Sequence, residues 1–171
     1  MAFADIPVDE LWQASRRVDV VAAMDAFYAE ADRQIAARLP VCTNKGECCR
    51  FAQFGHRLYV TALEVAYYLA SGYLAHAAEN ANNDGENRKP CDSMIPAVTE
   101  EVCPHAIGGR CCARDRRPFG CRVFFCDPAA QHWQGPMTEE TLVRLRQMHD
   151  DLSVPYFYAE WLTVLRALRG E

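Results

Sequence analysis

The nine cysteines are the residues of this sequence with the most chemistry to offer. Most of them fall in two groups, "CTNKGECC" from residue 42 and "CPHAIGGRCCARDRRPFGCRVFFC" from residue 103. Thiolates are strong soft ligands for zinc and iron, and short spacing lets one loop supply several ligands to one ion. A metal bound by both groups would therefore join two distant segments of the chain. The cysteines are Cys42, Cys48, Cys49, Cys91, Cys103, Cys111, Cys112, Cys121 and Cys126.

A disulfide framework explains these cysteines less well than a metal does. Their number is odd, and the adjacent pairs Cys48-Cys49 and Cys111-Cys112 rarely reach disulfide geometry within the pair. The first residues, "MAFADIPVDELW", lack the basic start and apolar stretch of a secretory signal. We therefore expect a cytoplasmic protein, in whose reducing environment clustered cysteines bind metal or perform redox chemistry.

The composition excludes several classes of protein. Of the 171 residues, 50% are hydrophobic and 24% are charged, which is the balance of a globular domain and too apolar for a disordered chain. The formal net charge of -5 does not favour a broad electrostatic grip on nucleic acid or on an anionic membrane. No apolar run approaches the roughly 18 residues of a membrane span. We expect a single domain over residues 1–171 that contacts no membrane.

The segments around the cysteine groups have a helical pattern. Residues 9–39 predict a helix, broken near residues 15–19 and ended by Pro40. Its apolar residues recur at steps of three and four and should share one buried face. These residues are Val20, Val21, Met24, Phe27, Tyr28, Ala31, Ile35 and Leu39.

A second helix follows the first cysteine group. A short extended piece leads to Thr61 and Glu64, whose spacing predicts a capping box at a helix start, and Gly72 suits the end of that helix. Residues 80–92, "NANNDGENRKPCD", are polar and rich in turn residues, which predicts an exposed loop.

The C-terminal third returns to helix after an irregular stretch. Residues 103–128 show little helical or strand period and contain several glycines and prolines. Thr138 can cap a helix that runs to about His149, and Pro155 suits the first turn of a last helix carrying Phe157, Trp161, Leu165 and Leu168. The predicted fold class is mainly α: a small helical domain with an irregular cysteine-rich middle over residues 42–126, flanked by helices in 9–39 and 138–169.

The cysteine pattern resembles that of the YkgJ-like family, described as a CxxCxxCC zinc- or iron-chelating domain. The family's first motif is C-x2-C-x2-C-C, and its second is roughly C-P, a cysteine, R-P-x-x-C-R and a final cysteine. The resemblance covers residues 42–126, about half of the chain. It implies seven metal ligands, which are Cys42, Cys48, Cys49, Cys103, Cys111, Cys121 and Cys126.

The sequence departs from the family pattern at one position. Lys45 occupies the place of the second cysteine in the first motif. If that cysteine is a ligand in relatives, the site here either has one thiolate fewer or takes a substitute from Cys91, Cys112 or His105.

The resemblance implies zinc or iron, and the ligand count constrains the metal without choosing between them. One structural zinc takes four ligands, whereas two zincs that share a bridging thiolate take 8 - 1 = 7. A four-iron cluster would use four cysteines and leave three. The cofactor is therefore expected to be zinc or iron, and an iron-sulfur cluster remains one of the alternatives, although the usual ferredoxin spacings are absent.

Arginines in the second group would neutralise the charge of a metal bound by several thiolates. Arg117 and Arg122 are the best candidates for contact with the cofactor, since a nearby cation lowers the pKa of a thiol. Pro118 would stiffen the turn that presents Cys121, and Phe124 and Phe125 would shield the metal from water.

The function predicted from the sequence is a metal-binding protein that chelates zinc or an iron-sulfur cluster. Two alternatives belong to other classes. The resemblance extends to flagellin lysine N-methylases, which would imply a methyl donor, but the chain has no glycine-rich nucleotide loop after a strand. A thiol-based redox sensor could use a cysteine such as Cys112, beside cationic arginines, as its reactive residue.

Overall fold

The computed structural model describes residues 6–42, 46–80, 95–99, 102–108 and 110–171, and the side chains of 73–80 are not part of the description. Within these residues the fold is mainly helical, as predicted. The helices are α1 Val8–Ser15, α2 Val18–Ala36, α3 Phe51–Phe54, α4 Ala62–Asn80, α5 Phe119–Val123, α6 Gln131–Asp151 and α7 Trp161–Arg169. The strands are β1 Tyr59–Thr61, β2 Ala106–Ile107, β3 Arg110–Cys111 and β4 Tyr158–Glu160, and short 3-10 turns span Glu47–Cys49 and Pro128–Ala130.

The break predicted near residues 15–19 separates α1 from α2. Arg17 lies between them in an extended conformation, with φ -81° and ψ 120°. Most of the predicted apolar face of α2 is buried. Val21 is half-buried. Leu39 is 84% exposed, because α2 ends at Ala36 and Leu39 has a positive φ of 49° that turns the chain away.

The capping box predicted at Thr61 and Glu64 is confirmed. The backbone N–H of Thr61 donates to Glu64 Oε2 at 2.8 Å, and the N–H of Glu64 approaches Thr61 Oγ1 at 3.5 Å. The prediction that Gly72 ends this helix is wrong, because α4 continues to Asn80. A glycine inside a helix costs only about 1 kcal/mol, and the alanine-rich turn that follows favours continuation. Apart from Asn80, the loop predicted for 80–92 lies outside the described residues.

Helix α6 begins seven residues earlier than Thr138, the predicted cap. The carboxylate of Asp127 accepts from the N–H of Ala129 and starts a 3-10 turn that leads directly into the helix. The side-chain amide of Gln134 then bonds both to the N–H and to the carbonyl of Phe125, at 3.2 and 3.1 Å. Thr138 lies inside the helix and donates to the carbonyl of Gln134. The start of α6 is therefore fixed by contacts with the cysteine-rich segment.

The last helix begins later than predicted. Pro155 and Phe157 precede β4, which pairs antiparallel with β1 so that Tyr59 faces Glu160. This pairing holds residues 158–160 extended, and α7 starts at Trp161. The Glu160 carboxylate caps α7 by accepting from the N–H of Thr163 at 2.8 Å.

The core lies between α4 and the helices packed around it. Helices α1 and α2 cover one side of α4, and β1 with β4 connects its first turn to α7. The rings of Tyr68 and Trp161 meet edge to face with centroids 5.0 Å apart at that end of α4. No helix of the described residues is both long enough and apolar enough to cross a bilayer. Both cysteine groups lie near the N-terminal end of α4.

Candidate metal centre

A backbone hydrogen bond joins the two cysteine groups. The N–H of Cys103 donates to the carbonyl of Cys49 at 2.7 Å, so the first residue of the second group lies beside the last residue of the first. The strands β2 and β3 then form a short hairpin that returns the chain to Cys111. Gly108 has φ +57° in this turn, a conformation that favours glycine. The fold therefore places side by side two segments that are distant in the sequence.

Five of the seven predicted ligands line one small cavity. Its volume is about 30 Å³, which is enough for one or two water-sized groups. The cysteines in its wall are Cys48, Cys49, Cys103, Cys111 and Cys121. Aromatic side chains of Phe51, Tyr68 and Trp161 form part of the remaining wall. Cys103 is buried, and the other four cysteines are partly exposed.

The thiols in this cavity disfavour one another's ionisation. The Sγ atoms of Cys48 and Cys49 are 3.9 Å apart, and hydrogen bonding to the Cys103 thiol is the largest of the effects that raise the pKa of Cys49 to about 12. Burial, followed by the neighbouring Cys111 and Cys49, raises the pKa of Cys121 well above its usual range. A bound cation would reverse this effect, because it stabilises the thiolate form. Without a cation the thiols of Cys49 and Cys121 stay protonated at neutral pH.

The side chains do not yet form a coordination sphere. No set of three or more His, Cys, Asp or Glu side chains within the described ranges is arranged so that it could hold a metal ion. None of the eight described cysteines forms a disulfide. A metal would therefore have to draw the sulfur atoms together within the cavity.

Arg117 supplies the positive charge that a thiolate centre needs. Its side chain lines the cavity, and its buried Nε finds no hydrogen-bond partner among the described residues. Burial lowers the pKa of Arg117, while the adjacent Cys121 and Cys111 act in the opposite direction. A buried N–H of a cationic group without an acceptor is costly unless an anion compensates it. The donor set and Arg117 together fit a cation bound by thiolates.

Arg122 occupies a different place from Arg117. Its guanidinium pairs with Asp32 Oδ2 at 2.6 Å and lies over the ring of Tyr28, 4.1 Å from the centroid. It also donates to the carbonyls of Arg117 and Asp115, at 2.9 and 2.5 Å. Arg122 is buried and is not part of the cavity wall. Arg122 therefore holds the backbone of the arginine-rich turn in place from outside the cavity.

The other two predicted ligands, Cys42 and Cys126, are exposed and lie outside the cavity. Burial, followed by a hydrogen bond to the Glu47 carboxylate, raises the pKa of the Cys126 thiol, and Cys48 and Cys42 are close enough to contribute. Cys126 thus interacts with Glu47, which the sequence analysis did not identify.

Of the proposed substitutes for the missing cysteine, His105 and Cys112 can be located. His105 is 2% exposed and lines the cavity, with Nε2 2.8 Å from the hydroxyl of Tyr68. Burial, followed by the charge of Arg116, lowers the pKa of His105 to about 4, so it is neutral at pH 7. Its Nδ1 is 3.9 Å from the Cys112 sulfur, which is not part of the cavity wall. Cys91 and Lys45 lie outside the described residues.

Phe124 and Phe125, which were expected to shield the metal, are not part of the cavity wall. Phe124 stacks on His56 and is 41% exposed, and Phe125 contacts Trp133. Shielding comes instead from aromatic residues of α3, α4 and α7. The sequence analysis could not find these residues, because their contact with the cysteines depends on the tertiary fold.

Glu64 connects the helical core to the cysteine-rich segment. In addition to its capping bonds, its Oε1 accepts from the N–H of Phe119 at 2.8 Å, at the start of α5. Glu64 is 3% exposed, and burial raises its pKa. The position of Cys121, two residues after Phe119, therefore depends on a buried carboxylate at the start of α4.

Comparisons of the chain with protein-family models, with curated proteins and with solved structures found no match.

Proposed function

We propose that this chain is a metal-binding protein of the YkgJ-like type, in which cysteine thiolates hold zinc or an iron-sulfur centre. The observation that carries the proposal is the shared cavity, in which five cysteines from both groups meet Arg117. Cysteines that served only as small buried hydrophobes would not explain a partly buried arginine among them whose Nε has no hydrogen-bond partner within the described residues.

The inner set of ligands consists of the cysteines most enclosed by the cavity. Cys49 and Cys103 come from the two sides of the backbone hydrogen bond, Cys111 comes from β3, and Cys121 comes from α5. Each thiol would lose its proton to solvent when the metal binds. Arg117 would stabilise the resulting negative charge, and Phe51, Tyr68 and Trp161 would exclude water.

The size of the cavity favours zinc over a four-iron cluster. A volume of about 30 Å³ accommodates a single ion, whereas a cluster of four irons and four sulfides needs considerably more room. Four thiolates are a usual ligand set of structural zinc. The proposed role is to bind zinc and, through it, to hold the cysteine-rich segment in place.

Metal analysis of protein purified without oxygen tests the proposal. We expect bound zinc in the wild type and loss of the cavity metal in Cys121→Ala, because this substitution removes a ligand. Cys112→Ala is the matched control, since Cys112 is also in the second group but lies outside the cavity wall. Absence of zinc and iron from the wild type would refute the proposal, as would an unchanged metal content in Cys121→Ala.

A further inference from the structure

Two parts of the fold that are distant in the sequence meet at a buried histidine. His149 lies in the last turn of α6 and is 1% exposed. Its Nδ1 is 2.9 Å from the carbonyl oxygen of Val154, and its Nε2 is 3.4 Å from the backbone nitrogen of Leu63 in the first turn of α4. One imidazole ring therefore connects the end of α6 both to the chain that follows it and to the start of α4.

The turn after α6 brings the Val154 carbonyl to the ring. Helix α6 ends at Asp151, and Ser153 has a positive φ of 51°, a left-handed conformation that does not continue the helix. The N–H of Val154 donates to the carbonyl of His149 at 3.0 Å, so these two residues bond through both backbone and side chain. The ring of Tyr156 then contacts the imidazole edge to face, with centroids 5.1 Å apart.

The start of α4 leaves one N–H group for His149. In the capping box, Thr61 Oγ1 accepts from the N–H of Glu64, and the Glu64 carboxylate accepts from the N–H of Thr61. The N–H of Leu63 is not part of the capping box, and the first N–H groups of a helix have no acceptor within the helix itself. His149 Nε2 supplies the acceptor for Leu63.

The two partners admit only one protonation state of the ring. A carbonyl oxygen can only accept and a backbone N–H can only donate, so Nδ1 carries the hydrogen and Nε2 presents its lone pair. A protonated imidazole has hydrogens on both nitrogens. Its Nε2–H would face the N–H of Leu63, at the positive end of the dipole of α4. The contact between α6 and α4 therefore requires a neutral histidine.

We propose that His149 is a pH-sensitive switch, whose neutral ring joins α6 to the start of α4 and whose protonation releases that contact. The switch lies beside the connection between α4 and the cysteine-rich segment, because Glu64 follows Leu63 and accepts from the N–H of Phe119. Release of the first turn of α4 therefore loosens the start of α5. The inference does not depend on metal binding, since His149, Leu63 and Val154 are not part of the cavity wall.

Charged groups lie on each element around the ring. On α6, Asp150 is exposed and its charge favours protonation of His149. On α4, the carboxylate of Glu64 is bonded to backbone N–H groups. After α6, the ring neighbour is Tyr156, over which the guanidinium of Arg146 lies. Both hydrogen bonds of the imidazole itself are to uncharged backbone groups, so burial decides its protonation state.

Acid should therefore destabilise the fold through His149. Burial is the largest influence on the pKa of His149 and lowers it below the usual value of 6.5, and the Val154 carbonyl and Asp150 act in the opposite direction. Below pH 6.5 the unfolded chain binds a proton that the folded chain does not bind, so unfolding is favoured as the pH falls. The contribution of the neutral ring to stability is complete above pH 6.5 and is lost on acidification.

Nuclear magnetic resonance of the imidazole nitrogens tests the bonding directly, on the full-length protein as purified. The signals of His149 are assigned by their absence from His149→Gln. At pH 7.5 we expect the hydrogen on Nδ1 and a bare Nε2, and we expect a titration midpoint below 6.5. A hydrogen on Nε2 at pH 7.5, or a midpoint at or above 6.5, would overturn the proposal, and this test holds even if the variant folds poorly.

Urea denaturation at pH 7.5 and pH 5.5 tests the effect on stability. On acidification, the unfolding equilibrium constant of the wild type should increase about three- to tenfold more than that of His149→Gln, since tenfold is the limit for one proton over one pH unit. Other groups that titrate, such as His105, are present in both proteins and cancel. His132→Gln, an exposed change on the same helix, should behave as the wild type. Equal increases in the wild type and in His149→Gln would overturn the proposal.

Hydrogen exchange locates the change within the fold. After correction for the intrinsic pH dependence of exchange, the amides of Leu63 and Phe119 in the wild type should lose at least threefold of their protection between pH 7.5 and pH 5.5. The amides in the middle of α2 should keep theirs. In His149→Gln the protection of both amides should not depend on pH in this range. A wild type in which either amide keeps its full protection, or in which α2 loses as much, would overturn the proposal.

Discussion

Different forces stabilise the helical frame and the cysteine-rich segment. The frame, formed by α1, α2, α4 and α7, buries large apolar side chains such as Met24, Leu69 and Leu165 almost completely. Burial of each such side chain stabilises the fold by about 1.5–3 kcal/mol relative to its exposure. The burial that stabilises the frame involves apolar side chains and no metal ligand.

The cysteine-rich segment has much less regular structure. Between residues 102 and 126 its described elements are two strands of two residues and the five-residue α5. A few polar contacts hold it, among them the bond from the Phe119 N–H to Glu64 and the bonds from Arg122 to two backbone carbonyls. The comparison teaches that the frame positions the thiols, whereas metal ligation would complete the order of the segment that carries them.

Removal of the metal should give the largest difference between the helical frame and the cysteine-rich segment. After treatment with a chelator, the amides of residues 103–126 should exchange hydrogen at least tenfold faster, because ligation no longer restrains them. The amides of α2 and of the first turns of α4 should change little. Hydrogen exchange followed by mass spectrometry measures both regions in one sample. Equal acceleration in the frame and in the segment would contradict the distinction between them.

Substitution of Glu64 should have the next largest effect, because it breaks the connection between the two regions. Glu64→Ala leaves the buried N–H groups of Thr61 and Phe119 without acceptors, which should reduce the free energy of unfolding by about 3 kcal/mol. Urea denaturation measures this loss. Glu64→Gln keeps a side-chain carbonyl and should lose less. Glu139→Ala, an exposed change on α6, is the control. A loss below about 0.5 kcal/mol in Glu64→Ala would show that the carboxylate does not connect the regions.

The effect of pH should be smaller and should differ between the metal-free and metal-loaded forms. In the metal-free fold Cys49 keeps its proton up to a pKa of about 12, whereas a cysteine in the unfolded chain has a pKa near 9.0. Between these values the unfolded state binds fewer protons, so rising pH favours unfolding.

This window predicts a fall in the melting temperature of the metal-free protein from pH 8 to pH 10. The metal-loaded protein should lack this contribution, because its ligating thiols are already deprotonated. Calorimetry at both pH values, on both forms, makes the comparison. If the melting temperature falls equally with pH in the two forms, the cavity thiols do not bind the metal.

Local signals in the sequence predicted the frame well. The three- and four-residue steps in α2 and the capping box at Thr61 both depend on residues within one or two turns. Signals of the same kind failed at Gly72 and Thr138, since a following alanine-rich turn extends α4 and a distant contact from Gln134 fixes the start of α6. The early start predicted for the last helix failed for a related reason, because β4 pairs with a strand remote in sequence.

The candidate centre could be predicted only in part. Spacing identified the cysteines, and five of them meet in one cavity. Spacing could not separate Arg117, which lines that cavity, from Arg122, which pairs with Asp32, because both lie in the same short turn. It also gave no sign of the contact of Glu47 with Cys126 or of Glu64 with Phe119, because these contacts arise only when distant segments meet.

X-ray absorption at the zinc edge tests the central claim most directly. We would measure it on the wild type, purified without oxygen. The account predicts one zinc per chain surrounded by four sulfur atoms at about 2.3 Å. A protein without zinc, or a zinc surrounded mainly by nitrogen and oxygen, would contradict the claim that the cavity thiols bind the metal.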